Sequence, residues 1–277
     1  WSGQSWGEPN VARVMIKNPD NPNEIIQKWV VFLTGGFAFN NENSSDKKGK
    51  AIFMVDAGTG ELLWMLGYDP TITYTGTAPA EGILRTAESG VRLLTKEDVF
   101  NFSIPSALTV VDKDSNGFAD TLYFGNRGGH LFKTDVSNSD PLAWTTGILF
   151  QTVITTKGTR IISTITPLAT DKVDILLTVK ADPDFSLGDG IQGVTSKATG
   201  YIVSIDLKTI TVNVTSGTFA AGETVITRTY NPIYLSPAAM YDRCYTPWVC
   251  FGTGDRDRPR SNAANGNFVL LKDNGTY

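Results

Sequence analysis

Histidine and cysteine are almost missing from this chain, and each scarcity closes off chemistry. One histidine, His130, stands among 277 residues, so no multi-histidine zinc or non-haem iron site can be assembled. No Ser-His-Asp arrangement stands out either. The two cysteines, Cys244 and Cys250, are spaced C-x5-C, neither a redox C-x-x-C nor a haem-attaching pattern. In an exported protein that spacing reads as a local disulfide pinning a short hairpin or as two buried thiols. No run of about 18 apolar residues occurs, so no transmembrane segment is expected. Charge is sparse as well: charged residues make up 19%, and 24 Lys+Arg against 28 Asp+Glu give a net charge of −4. That balance leaves no basic footprint for nucleic acid or an anionic membrane surface. The chain starts at Trp1 without a charged segment leading into an apolar core, and it stops just after a strand-like run. It therefore reads as a piece of a longer exported protein, with any signal peptide already removed.

What is present is β-sheet composition. Hydrophobic residues reach 41%, enough for one large domain or two smaller ones. Runs rich in Val, Ile, Thr and aromatics alternate with Gly, Asn, Asp and Pro clusters, which is strand-and-turn punctuation. Only 84–100 has a weak helical stretch.

A repeat lies inside this pattern. WVVFLTGG (29–36) leads to AIFMVD (51–56) and then GTGELLW (58–64). TLYFGNRGG (121–129) leads to HLFKTD (130–135) and then PLAW (141–144). WVCFGTG (248–254) leads to NFVLLKD (267–273), and a weaker copy pairs DILLTVK (174–180) with GYIVSID (200–206). Each copy follows another short strand, at 10–16, 106–111, 166–170 and 236–241. A sheet of about four strands used repeatedly buries its faces against its neighbours, and radial repetition into a β-propeller is the natural closure. A large β-sandwich with look-alike strands is the rival. The tryptophans Trp64 and Trp144 are expected to wedge between sheets.

The fold class is thus all-β: a partial or complete β-propeller of four-stranded blades with a small inserted β unit. Residues 1–180 carry the first blades, with an insertion over about 68–100 that reads as a surface loop or lid. Residues 181–231 form the inserted unit, whose alternating segments 198–206, 209–214 and 217–225 suit a compact hairpin unit or small barrel. Residues 232–277 form a final, truncated blade.

The sharpest chemical signal is DKDSNGFAD (112–120). Oxygen side chains fall at loop positions 1, 3 and 5 (Asp112, Asp114, Asn116), glycine at 6, a backbone carbonyl at 7 (Phe118) and a carboxylate at 9 (Asp120). Ca2+ takes about 6–8 oxygen ligands, and this spacing wraps them around one centre. The first six positions match an EF-hand loop, but the bidentate Glu at position 12 is replaced by Tyr123, and the flanks read as strands. This is a shortened calcium loop between two β-strands. An Asx-rich turn without metal is the bland alternative; three crowded carboxylates, which repel one another without a cation, weigh against it. Magnesium fits less well because it demands rigid octahedral geometry. Elsewhere, 252–257 lacks the third glycine of a dinucleotide fingerprint. The alternating charges of 255–260 read as a solvated loop, and Arg127 with His130 as an exposed hairpin pair.

Several of these segments together resemble the C-terminal β-propeller of the PilY/PilC family, the tip-associated adhesins of bacterial type IV pili. The likeness is carried by SWGEPNVAR (5–13), residues 51–64, FSIPSALTVVD (102–112) running into the acidic loop, GNRGG (125–129), FGTGDR (251–256) and residues 267–273. It covers about 1–65, 100–180 and 235–273; 181–231 has no counterpart. The resemblance implies a propeller without enzymatic activity, displayed at the pilus tip on the cell surface. There it would support surface attachment and pilus biogenesis, with minor pilins and a surface receptor as partners. It also implies that Ca2+, held by Asp112, Asp114, Asn116, Phe118 and Asp120, regulates extension against retraction. A quinoprotein-like propeller enzyme, tested by dye reduction with quinone and alcohol, and a purely structural surface or filament protein are the alternatives.

Overall fold

The computed structural model describes residues 1–4, 7–18, 20–38, 45–73, 83–86, 90–152, 155–161, 164–167, 174–178, 189–206, 209–229, 231–254 and 266–275. The chain is all-β and its strands form four sheets. Sheet A contains β1 (Asn10–Asn18), β2 (Asn21–Thr34), β3 (Ala51–Asp56), β4 (Leu62–Tyr68), β5 (Ile83–Thr86) and β6 (Val91–Thr95), in the order β1-β2-β3-β4-β6-β5. Sheet B contains β7 (Thr109–Val111), β8 (Thr121–Gly125), β9 (His130–Asp135) and β10 (Thr145–Gln151), hydrogen-bonded in sequence order. Sheet C joins β11 (Thr155–Ile161), β12 (Thr164–Pro167), β13 (Asp174–Thr178), β14 (Gly190–Gly193), β15 (Thr199–Asp206), β16 (Thr209–Ser216) and β17 (Thr224–Thr229). Sheet D contains β18 (Ala238–Tyr241), β19 (Pro247–Gly252) and β20 (Phe268–Lys272), again in sequence order. No closed ring or barrel is traced among the described residues.

Two compact units divide these sheets. The first comprises 1–38, 45–152 and 231–277 and holds sheets A, B and D; the second comprises 39–44 and 153–230 and holds sheet C. The sequence sets the inserted unit at 181–231, whereas the second unit already begins at 153. The weak repeat copy follows from this: β13 and β15 flank β16 within sheet C rather than opening a blade of their own. In the second unit, Ile191, Ile202, Ile210, Val212, Val214, Phe219 and Val225 form the core. Beside it the Glu223 carboxylate accepts from the Ser196 and Ala220 N–H groups and from the Ser196 hydroxyl.

The first unit is a stack. Strand alternation aims Val30, Phe32, Ile52, Met54 and Trp64 of sheet A at one side, where they pack with Leu122, Phe124 and Phe132 of sheet B. Phe132 stacks on Phe124 and on Phe100, with ring centroids 5.1 and 4.7 Å away. Trp64 and Trp144, the two repeat tryptophans, are fully buried and lie 5.0 Å apart. The intervening residues of sheet B, Val111, Tyr123 and Leu131, point the other way and pack with Val249 and Phe251 of sheet D. Sheet B is therefore apolar on both faces because it has a sheet on each. The first strands, β1, β7 and β18, are neighbours.

The expected helix over 84–100 is instead two strands and a 3-10 turn at Asp98–Phe100. Here β6 lies parallel to β4, Trp64 opposite Val91 and Leu66 opposite Leu93; pairing overrides a weak local preference. Residues 74–82 and 87–89 of that insertion lie outside the described residues.

The cysteines also depart from expectation. Both are free, Cys244 exposed and Cys250 half-buried. Cys250 sits opposite Ala238, three residues along β19 from Pro247, while Cys244 lies in the turn beyond the hairpin end. At about 3.3 Å per strand residue that separation exceeds the roughly 7 Å Cα limit for a disulfide. The turn is held by Asp242 instead, whose carboxylate accepts from the Cys244 and Thr246 N–H groups and from Trp248 Nε1.

Candidate metal centre

The 112–120 loop connects β7 to β8, so adjacent antiparallel strands fix both of its ends: Val111 faces Thr121, and the Asp120 N–H donates to the Val111 carbonyl at 2.9 Å. Between them the chain reverses through Ser115, with φ 60°, and Gly117, with φ 87°. A side chain at Gly117 would be opposed by its left-handed conformation, and a Cβ there, 2.3 Å from Arg13 Nη2, would push aside the end of the Arg13 side chain.

This reversal gathers Asp112, Asp114 and Asp120, each offering a carboxylate oxygen within 4.8 Å of the others. The loop's own N–H groups orient them. Asp112 accepts from the Asn116 and Gly117 N–H groups at 3.1 and 2.6 Å, and Asp114 accepts from the Asn116 N–H at 3.0 Å. Asp120 accepts from the Lys113 N–H at 2.7 Å. An oxygen that accepts one such bond keeps a further lone pair. Asn116 and Phe118, the other two residues of the expected ligand set, stand in the same loop with different contacts. Asn116 Nδ2 donates to Asp114, and its Oδ1 accepts from the Phe118 N–H.

Two residues that no local spacing marks anchor the loop. Arg13 of β1 donates to the Gly117 carbonyl at 3.2 Å, accepts from the Ala119 N–H at its own carbonyl, and lays its guanidinium over Phe118 and Trp29, 5.0 and 5.5 Å from the ring centroids. Tyr241 of β18 donates its hydroxyl to the Asp112 carbonyl at 2.8 Å. They lie 104 and 129 residues away in sequence from their partners, so only the stacking of sheets reveals them.

Electrostatics fit a site for a cation. Burial, reinforced by the charges of Asp114 and Asp112, raises the Asp120 pKa against the lowering effect of the Lys113 N–H. Burial and the same three carboxylates raise that of Tyr241. The donors are hard oxygens, the set that takes Ca2+ or Mg2+, so the three carboxylates can hold a metal ion.

The remaining candidates resolve as structure. Tyr123, at loop position 12, is fully buried in β8 and donates to Asp273 at 2.5 Å. Asp273 also pairs with buried Lys133, Nζ to Oδ2 2.8 Å, joining sheet B to the segment after β20. His130 is not the exposed residue its Gly-rich neighbours imply: it is 2% exposed, packed on Phe102 and Phe132, with Nδ1 3.2 Å from Asn126 Oδ1. Burial lowers its pKa to about 4. Arg127 donates to the Tyr234 hydroxyl and stacks over Phe37 and Tyr234. Residues 255–265, including the alternating charges, lie outside the described residues.

No protein-family model and no curated protein matches the chain. Among solved structures it is similar to the crystal structure of the Pseudomonas aeruginosa PilY1 C-terminal domain, at 14% identity and a TM-score of 0.35 over 98% of this chain. The chain spans 59% of that domain's length.

Proposed function

We propose that this chain is a calcium-binding β-propeller segment of a type IV pilus tip-associated adhesin, with binding and display at the cell surface as its role rather than catalysis. The observation that carries this reading is the convergence of Asp112, Asp114 and Asp120 within 4.8 Å in a loop tied to neighbouring sheets. The residue likeness to the PilY/PilC family over the loop and its flanks adds the biological setting. Stacked sheets A, B and D, with shared strand order and neighbouring first strands, support a propeller-like course.

In this reading the three carboxylates hold Ca2+, and the Asn116 amide oxygen and the Phe118 carbonyl complete the donor set. The ion supplies positive charge where three like charges meet. Arg13 and Tyr241 keep the loop ends on β1 and β18, so occupancy is felt by three sheets. That arrangement suits a regulator of extension against retraction, with minor pilins as partners.

Calorimetric titration with Ca2+ tests the site, and pull-down with minor pilins in calcium and in chelator tests the role. Saturable binding that Asp114→Ala removes, with calcium-dependent capture, is the expected result. Absence of binding overturns the site; binding without any pilin capture overturns the pilus role.

A further inference from the structure

Asn116-Gly117 is one of three Asn-Gly steps in the chain, with Asn265-Gly266 and Asn274-Gly275. Such a step carries latent chemistry of its own. The glycine nitrogen can attack the asparagine side-chain carbonyl, because no Cβ shields the approach. Three contacts in the acidic loop favour that attack. The Gly117 N–H points at Asp112 Oδ2, 2.6 Å away, so a carboxylate stands ready to take the proton of the attacking nitrogen. Asn116 Oδ1, where negative charge collects as the new bond forms, accepts from the Phe118 N–H at 2.8 Å. The departing nitrogen, Asn116 Nδ2, donates to Asp114 Oδ2 at 2.9 Å. Asn116 is also exposed, so water reaches the product. Asn274 has the first contact, the Gly275 N–H on Asp273 Oδ1, and lacks the other two among the described residues. Asn265 lies outside them.

We propose that Asn116 is a site of self-catalysed deamidation, with the loop's own groups as the catalyst and water as the co-reactant. Gly117 N forms a bond to Asn116 Cγ while its proton passes to Asp112. The Cγ–Nδ2 bond then breaks, and Nδ2 leaves as ammonia with that proton. Water opens the resulting cyclic imide at one of its two carbonyls. One opening restores the original backbone and leaves an aspartate at position 116. The other routes the main chain through the side-chain carbon, which lengthens the loop by one backbone atom. No oxidant or reductant takes part. Either product adds a fourth carboxylate beside Asp112, Asp114 and Asp120, so the conversion changes the charge of the loop in one direction only. It stands whether or not the loop binds a metal.

Peptide mapping by mass spectrometry tests this on the full chain, held folded at neutral pH with chelator so that calcium plays no part. A gain of about 1 Da at Asn116, with isoaspartate among the products, is expected to run at least about tenfold faster than at Asn274. Unfolding in urea should abolish that lead, since both steps then have only the bare Asn-Gly chemistry. Asp112→Asn should slow conversion at Asn116 by about tenfold and leave Asn274 unchanged. The urea comparison needs no variant, and it decides the matter if circular dichroism shows that Asp112→Asn has lost its fold. An Asn116 that stays unmodified, no lead over Asn274 in the folded chain, a lead that survives urea, or a rate indifferent to Asp112→Asn in a folded variant would each overturn the proposal.

Discussion

Sheets B and D follow one strand plan, yet they differ in what surrounds them. Phe132 at the centre of β9 is fully buried, while Leu270 at the centre of β20 is half exposed. Both strands carry apolar residues on both faces, as strands buried on two sides do. Burial is therefore decided by the neighbour and not by the strand's own sequence. Among the described residues of the first unit, sheet B has a sheet on each side and sheet D has one.

Substitution should expose that contrast most strongly. Phe132→Ala removes a ring packed on Phe100 and Phe124 and should cost about 3–5 kcal/mol in chemical denaturation. A loss below about 1 kcal/mol would mean that sheets A and B are not packed as described. Next comes the tie between B and D. Asp273→Ala removes the carboxylate paired with the buried Lys133 ammonium, 2% exposed, and should cost about 3 kcal/mol, whereas replacing both residues with apolar ones should cost much less.

The pH dependence separates these two sites. His130 stays neutral when folded, with its pKa lowered from 6.5 to about 4 by burial. The unfolded chain takes up its proton first, so the contribution of His130 is fully present above pH 6.5 and is lost as pH falls towards 4. The slope approaches about 1.4 kcal/mol per pH unit. As the chain has one histidine, His130→Gln should flatten the stability curve in that window; an unchanged curve would place the ring in water. Asp273 acts lower. Burial raises its pKa, but Lys133, Tyr123 and the Gly275 N–H outweigh it, so the net shift is below 3.8. Its stabilisation persists above 3.8 and disappears as pH falls through the lowered value.

Smaller effects follow at the loop and at the outward face. With a dissociation constant of about 0.1 mM and calcium at about 1 mM, the ion should add roughly 1.4 kcal/mol, read as a fall in Tm on chelation that Asp114→Ala abolishes. Leu270→Ala should change stability by no more than about 0.5 kcal/mol. A loss like that of Phe132→Ala would erase the distinction between the two sheets.

The all-β class, the strand-turn-strand repeat and the loop residues were legible because each is written in consecutive sequence. Alternation marks β2, β8 and β19, and the buried Trp64–Trp144 pair stands where the repeat set it. Long-range pairing was not legible. Nothing near 84–100 announces that β6 runs parallel to β4, and nothing near 174–180 tells that β13 pairs with β16. The acidic loop announced its carboxylates, but its anchors Arg13 and Tyr241 come from distant strands. His130 misled for a related reason: glycines 128 and 129 mark a turn, but the ring points back into sheet B.

Terbium luminescence is the most direct probe of the acidic loop, because Tyr241 touches it through the Asp112 carbonyl and can sensitise a lanthanide bound among Asp112, Asp114 and Asp120. Emission excited through tyrosine, displaced by calcium, dimmed by Tyr241→Phe and absent in Asp114→Ala, is the expected outcome. Silence at saturating terbium, or emission that survives Asp114→Ala, would contradict a metal centre in that loop.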